Sequence, residues 1–150
     1  MAIITNHIHQ IIHPYLRTNH TFGCPYVMMK TYSFEKLDVW QDARLLANLI
    51  YKKTKDFPTE EQYGLTNQMR RCSVSVASNI AEGSARTHLK EKLHFLTNSY
   101  SSTIELLNQL ILSCDFGYLK HEELNTELRP LIQTITYKIH RLKQSLNNPN

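Results

Sequence analysis

Hydrophobic and polar positions separate most sharply in the run QMRRCSVSVASNIAEGSAR, from Gln68 to Arg86. At 3.6 residues per turn, Leu65, Met69, Cys72, Val76 and Ile80 fall on one apolar face with Gly83 at its end. Gln68, Arg71, Ser75, Asn79, Glu82 and Arg86 step by three or four and form a polar stripe beside it. Val74, Ala77 and Ala81 occupy the opposite side, so little of this helix is free to face water. The pattern predicts a central bundle helix whose polar stripe finds partners on its neighbours.

Three further helices are predicted around it. Asp38 followed by Gln41 has capping-box spacing, which sets a first helix from about Val39 to Lys55, with Val39, Ala43, Leu46, Ala47 and Ile50 buried. Phe57-Pro58 stops it, and a turn through Gly64 leads to the central helix over Leu65 to Glu82, with Gly83 as its C-terminal cap. Thr87 caps a third helix from His88 to about Cys114, closed by Gly117. Leu89, Leu93, Leu96, Tyr100, Ile104, Leu107, Ile111 and Cys114 form its apolar stripe, read as the buried one. A fourth spans about His121 to Leu146, and Pro130 should kink it or split it after Arg129. The predicted fold is all-α, an antiparallel up-down-up-down four-helix bundle over residues 32–150. Residues 1–31 lack helical period and are expected to be a flexible extension.

Composition agrees with this picture. The chain has 150 residues, 41% of them hydrophobic, with only 4 Gly and 5 Pro, so one helical domain with a real core is expected. No apolar run approaches the length of a spanning helix. Cys24, Cys72 and Cys114 are far apart and lack CxxC spacing, and Cys72 on the apolar stripe and Cys114 near a helix end read as small hydrophobes in a reducing, cytoplasmic setting. Net charge is +4, a mild basic bias that permits nucleic acid without demanding it.

Catalytic and metal signatures are weak. His9, His13 and Cys24 could suggest a metal site, but Pro14 ends any helix there and no second ligand pair has zinc spacing. Glu91-x-x-His94 is half of a di-iron bundle signature, and no other ExxH exists. No arginine in the bundle is followed by a histidine five to seven residues later, and no phosphate-loop, dinucleotide or nucleophile-elbow motif appears. Neither metal, cofactor nor enzymatic activity is expected.

The basic residues are a better lead. Between Leu128 and Asn150 stand Arg129, Lys138, Arg141 and Lys143 with no acid among them. Arg86, Lys90 and Lys92 flank the turn between the second and third helices, and Lys52, Lys53 and Lys55 cluster at the end of the first. Arg86, Lys90, Lys92, Lys138, Arg141 and Lys143 are therefore the candidate contacts to RNA or DNA, weak on one bundle and strong if an oligomer repeats them. The rival expectation is a protein-interaction scaffold.

FEKLDVWQDA, FPTEEQYGLTNQMRRCSVSVASNIAEGSAR and TIELLNQLILSCDFGYL resemble the four-helix-bundle family encoded in intervening sequences of bacterial large-subunit ribosomal RNA genes. The similarity covers about residues 32–146, and the NIAEG block is its most specific part. The family in turn resembles, in fold, the accessory variability proteins of diversity-generating retroelements, five-membered barrels that work with a reverse transcriptase and RNA. The resemblance implies a homopentameric ring, with a reverse transcriptase or a ribosomal-RNA-related molecule as possible partner. It also implies architectural roles for Arg71, Ser75, Asn79, Glu82 and Gly83. Glu105, in the matching TIEL segment, lies about where an antiparallel third helix passes the N-terminal half of the second, so an ion pair to it from Arg70 or Arg71 is expected.

Overall fold

The computed structural model describes residues 31–148; the readings of residues 1–30, His9, His13 and Cys24 among them, lie outside the described residues. Helix α1 runs Asp38–Lys53, α2 Leu65–Ala85 and α3 Leu89–Asp115. The fourth rod begins as α4, His121–Glu123, passes through a π-helical turn, Leu124–Leu128, and continues as α5, Arg129–Asn147. Among the described residues there is no strand.

Contacts fix the topology. Val76 faces Ser99, Ser75 faces Ser102, Cys72 faces Gln109 and Met69 faces Ser113, so α2 and α3 run antiparallel. Lys53 meets Glu123 while Asp42 meets Lys138, so α1 is antiparallel to the fourth rod. The core they enclose is built from Leu46, Ile50, Met69, Val76, Ile80, Leu106, Leu110 and the α5 stripe Ile132, Ile135 and Ile139.

Several local expectations change. Asp38 is the first helical residue rather than a cap; Leu37 is the N-cap, and Gln41 Nε2 donates to the Glu35 carbonyl at 2.8 Å. The helix-three cap is His88, with no side-chain hydrogen bond, in place of Thr87. Gly83 does not end α2; it is buried inside the helix, which continues to Ala85. A Cβ added there would stand 3.0 Å from the Phe95 Cβ and 3.5 Å from the Lys92 carbonyl, so the glycine leaves room for a close approach of α3. Gly117 is a true terminator, at φ +77°. Its N–H and that of Tyr118 return to the Cys114 and Ser113 carbonyls at 3.0 and 2.9 Å.

Pro130 is absorbed rather than excluded. It cannot donate to a carbonyl four residues back, and its ring would crowd that carbonyl in a regular helix. The π turn widens the ladder just before it, with the Arg129 N–H bonded five residues back to Leu124, and α5 restarts at Arg129 with the proline in its first turn.

The largest correction concerns α3. Its buried face is Leu96, Ser99, Thr103, Leu106, Gln109, Leu110, Ser113 and Cys114. Of the stripe read as core, Leu89, Tyr100, Ile104 and Ile111 are exposed, Leu93 and Leu107 are half-buried, and only Leu96 and Cys114 are buried. On α2, Val74 is exposed as expected of a lone bundle, while Ala77 and Ala81 are half-buried.

Two predictions follow from this packing. Gly83→Val places branched carbon against Phe95 and should cost about 1–3 kcal/mol, read as a lowered urea midpoint at unchanged slope. Lys53 joins the end of α1 to Glu123 at 2.6 Å and to Glu127 at 2.9 Å. The hydrogen bond it donates lowers the Glu123 pKa, and those it donates to both carboxylates raise its own. The Glu123 contribution is present above the carboxylate's unfolded pKa of about 4.3 and fades as pH falls through the lower folded value. The Lys53 contribution fades only in strong alkali, above its unfolded value of about 10.4. Thermal melts from pH 7 to pH 3 should therefore lose less stability in Glu123→Gln than in the parent chain.

Candidate functional site

The polar stripe of α2 becomes a narrow seam against α3. Ser75 and Ser102 share a hydroxyl hydrogen bond of 2.9 Å, and Asn79 Nδ2 donates to the Ser75 carbonyl and hydroxyl at 2.8 and 3.0 Å. Deeper in, Ser99 Oγ donates to the Val76 carbonyl at 2.9 Å. Gln109 Nε2 reaches the Cys72 sulfur at 3.5 Å and Glu105 at 3.2 Å. Burial, more than the neighbouring Glu105, pushes the Cys72 thiol up to about 11, so it stays protonated and non-nucleophilic at neutral pH.

The expected ion pair to Glu105 is not formed. Arg70 turns to the other side of α2, where Nε donates to Thr54 Oγ1 at 2.9 Å and a terminal nitrogen to the Thr54 carbonyl at 3.3 Å. Arg71 does border one small hollow with Cys72, Ser75, Ser102 and Glu105. Among the described residues, however, no carboxylate lies within 4.0 Å of its guanidinium. Glu82 looks along its own helix to Arg86 instead of across the seam.

The six candidate bases divide into two groups. Lys138 faces α1, where it is bound to Asp42 at 2.6 Å, and Arg86 is paired with Glu82 while lying 4.8 Å over the Phe95 ring. Lys90, Lys92, Arg141 and Lys143 have no carboxylate partner among the described residues. Lys143 Nζ donates to Thr97 Oγ1 at 3.0 Å, which brings the end of α5 beside the first turns of α3. Lys92 borders an apolar hollow with Gly83, Leu142 and Leu146. The end of α2, the start of α3 and the end of α5 thus share one end of the bundle. Lys138, a turn or more away, belongs to the packing.

A second concave surface was not foreseen from the sequence. Between the end of α1 and the start of α2 lies an open cleft of about 580 Å³. Tyr51 and Tyr63 supply its rings, Arg70 and Arg71 its charge, and Gln62 and Asn67 its amides. The Arg70 guanidinium stands 5.0 Å from the Tyr51 ring centroid. The signal was in the chain, as an adjacent arginine pair seven and eight residues after Tyr63, but that pair is the one expected to meet Glu105.

No three of histidine, cysteine, aspartate and glutamate come together as a metal site among the described residues. None of their helices is long and apolar enough to cross a membrane.

With this geometry in place, the 23S rRNA-intervening sequence protein family model matches residues 35–141, most of the chain, and the chain belongs to that family. Curated proteins give no match.

The seam and Glu105 should respond differently to mutation. Asn79→Leu removes the donor of both bonds to Ser75 and should cost about 1 kcal/mol. Glu105→Ala, at an exposed side chain without an ionic partner, should stay within about 0.5 kcal/mol of the parent. Urea denaturation of the two variants checks both values.

Proposed function

We propose that this member of the 23S rRNA-intervening sequence protein family is a non-catalytic, oligomeric nucleic-acid-binding bundle acting in the cytoplasm. The observation that carries the reading is the bundle end at which Lys90, Lys92, Arg141 and Lys143 stand without carboxylate partners among the described residues. Four cations at one end neutralise only a few phosphates, and each released counterion contributes about 0.7 to 0.9 to the log–log salt slope. A single bundle is then a weak, salt-sensitive binder. Assembly, with a homopentamer as the expected form, would present the same end several times and turn weak contacts into avidity.

The exposed α3 stripe of Leu89, Tyr100, Ile104 and Ile111 supports assembly, because contiguous apolar surface of this kind marks association sites. It equally supports the second reading, a scaffold that docks a protein partner such as a reverse transcriptase and makes no direct contact with nucleic acid. Electrostatics separates the two. Neutralising the free cations should weaken nucleic-acid binding by phosphate number alone, with little sequence preference, because phosphate contacts position without specifying.

Fluorescence anisotropy with labelled RNA and DNA across a salt series is the test, alongside mass from light scattering. The parent protein should be an oligomer and show a slope of several units. Replacing Lys90, Arg141 and Lys143 together by glutamine should flatten that slope without changing the mass. Lys138→Gln should leave the slope unchanged and lower stability by under about 1 kcal/mol, since it loses only a half-exposed pair to Asp42. Absence of binding to either polymer at low salt would favour the scaffold.

A further inference from the structure

The cleft between α1 and α2 is chemically unlike the basic end. Tyr63 is 86% exposed on its rim, with no aromatic partner among the described residues, so packing does not account for its position. Tyr51 presents a second ring, held in place by Arg70, which is itself anchored on Thr54 at 2.9 Å. Flat rings with a guanidinium against them are the surfaces on which unpaired bases stack. The amides of Gln62 and Asn67, without side-chain partners among the described hydrogen bonds, offer the donors and acceptors a base edge needs. At the floor, Thr66 is only 5% exposed, and its Oγ1 is buried without a hydrogen-bond partner. A polar atom in that condition is costly unless something enters to satisfy it.

Charge favours the same ligand. None of the residues lining the cleft is acidic. Through Gln62, Thr66 and Arg70 it runs into a neighbouring hollow bordered by Lys55, so cations continue past the ring pair. Acids do lie nearby on the connecting loop. Glu61, however, is turned onto the Leu65 N–H at 2.9 Å, while Asp56 and Glu60 border neither hollow. A volume of about 580 Å³ suits a nucleotide-sized group in the usual range of small-ligand sites.

We infer that the Tyr51–Tyr63 cleft takes one unpaired base of single-stranded nucleic acid, stacked on the tyrosine rings, with the adjoining phosphates on Arg71 and Lys55. This rests on the proposed nucleic-acid-binding function and adds to it a place for bases, where the bundle end provides only for phosphates. An acidic peptide would use the cations and leave the rings and amides idle, which is why the nucleic acid is preferred. The cleft shares no residue with the exposed α3 stripe.

Because stacking is uncharged, the two sites have separable signatures. Tyr63→Ala should weaken binding of a labelled single strand of about ten nucleotides by roughly tenfold, with the salt slope unchanged. Tyr63→Phe should restore affinity, since the ring and not the hydroxyl is used. Duplex of the same sequence should bind no differently to Tyr63→Ala than to the parent, its bases being already stacked. A labelled nucleoside monophosphate, titrated in parallel, distinguishes a pocket for free nucleotide from one for a strand: the expected result is strand binding far tighter than the monophosphate. Monophosphate binding as tight as the strand overturns the strand assignment. Parent protein that binds no single strand at low salt overturns both this inference and the function it rests on. Parent protein that binds, with Lys90, Arg141 and Lys143 setting the slope but Tyr63→Ala binding as well as the parent, overturns the cleft alone. The exposed position of Tyr63 keeps folding out of the comparison, and an unchanged melting temperature checks this.

Discussion

The close approach of α2 and α3 is the constraint on which the rest of the bundle depends. Large side chains on both faces would hold two helices about 8–10 Å apart, whereas small ones let the backbones sink toward each other. Here Ser75, Ser99, Ser102 and Ser113 line the contact, and Gly83 leaves no room for a side chain beside the Phe95 Cβ. Polar atoms buried by such an approach need partners, and the hydroxyls find them across the seam or on their own helix. Ser75 and Asn79 of the polar stripe, expected to find partners on a neighbouring helix, are thereby part of the adhesive of the helix pair.

That same constraint explains which parts of the fold were legible. Helix number, order and approximate ends could be read because each rod has a strong apolar period and clear stop signals, Phe57-Pro58 and Gly117 among them. On α1 and α2 the apolar stripe is largely the buried one, as read, with Ala47 and Leu65 half-buried. On α3 the stripe and the core face differ, because periodicity reports where large apolar residues lie and not where a neighbour will pack. Serine and threonine can fill a tight interface, and no hydrophobicity pattern marks them as buried. Gly83 was misread for a related reason: a glycine near a helix end suggests a cap, yet only the approach of Phe95 distinguishes a cap from a contact point. Pro130 was expected to kink or split the rod, and a π turn accommodates it by widening one turn.

The candidate sites show the same limit in electrostatic form. Counting lysines and arginines treated six bases as equivalent, but a base's availability depends on what it faces in three dimensions. Asp42 lies 96 residues before Lys138 in the chain and takes it out of the surface. Arg70 likewise looked like a partner for Glu105 by register along the helix pair, while its actual partner, Thr54, is the residue that caps the end of α1. Register predicts which residues pass one another and leaves open toward which neighbour a long side chain turns.

Packing and function meet on α3. A helix of this composition has more large apolar residues than one tight seam can hide, so filling the seam with serine and threonine leaves Tyr100, Ile104 and Ile111 facing outward. Isolated exposed apolar residues are ordinary, but residues spaced by four and seven on one helix form a continuous strip, and such strips carry a solvation cost that association removes. The geometry that closes the α2–α3 seam is therefore the one that leaves an apolar strip exposed. Assembly through the strip would repeat the unpaired cations of the bundle end, and affinity for a polyanion grows with their number through counterion release. A protein with a modest net charge would in this way gain a strong electrostatic surface from packing alone, without any further basic residue in its sequence.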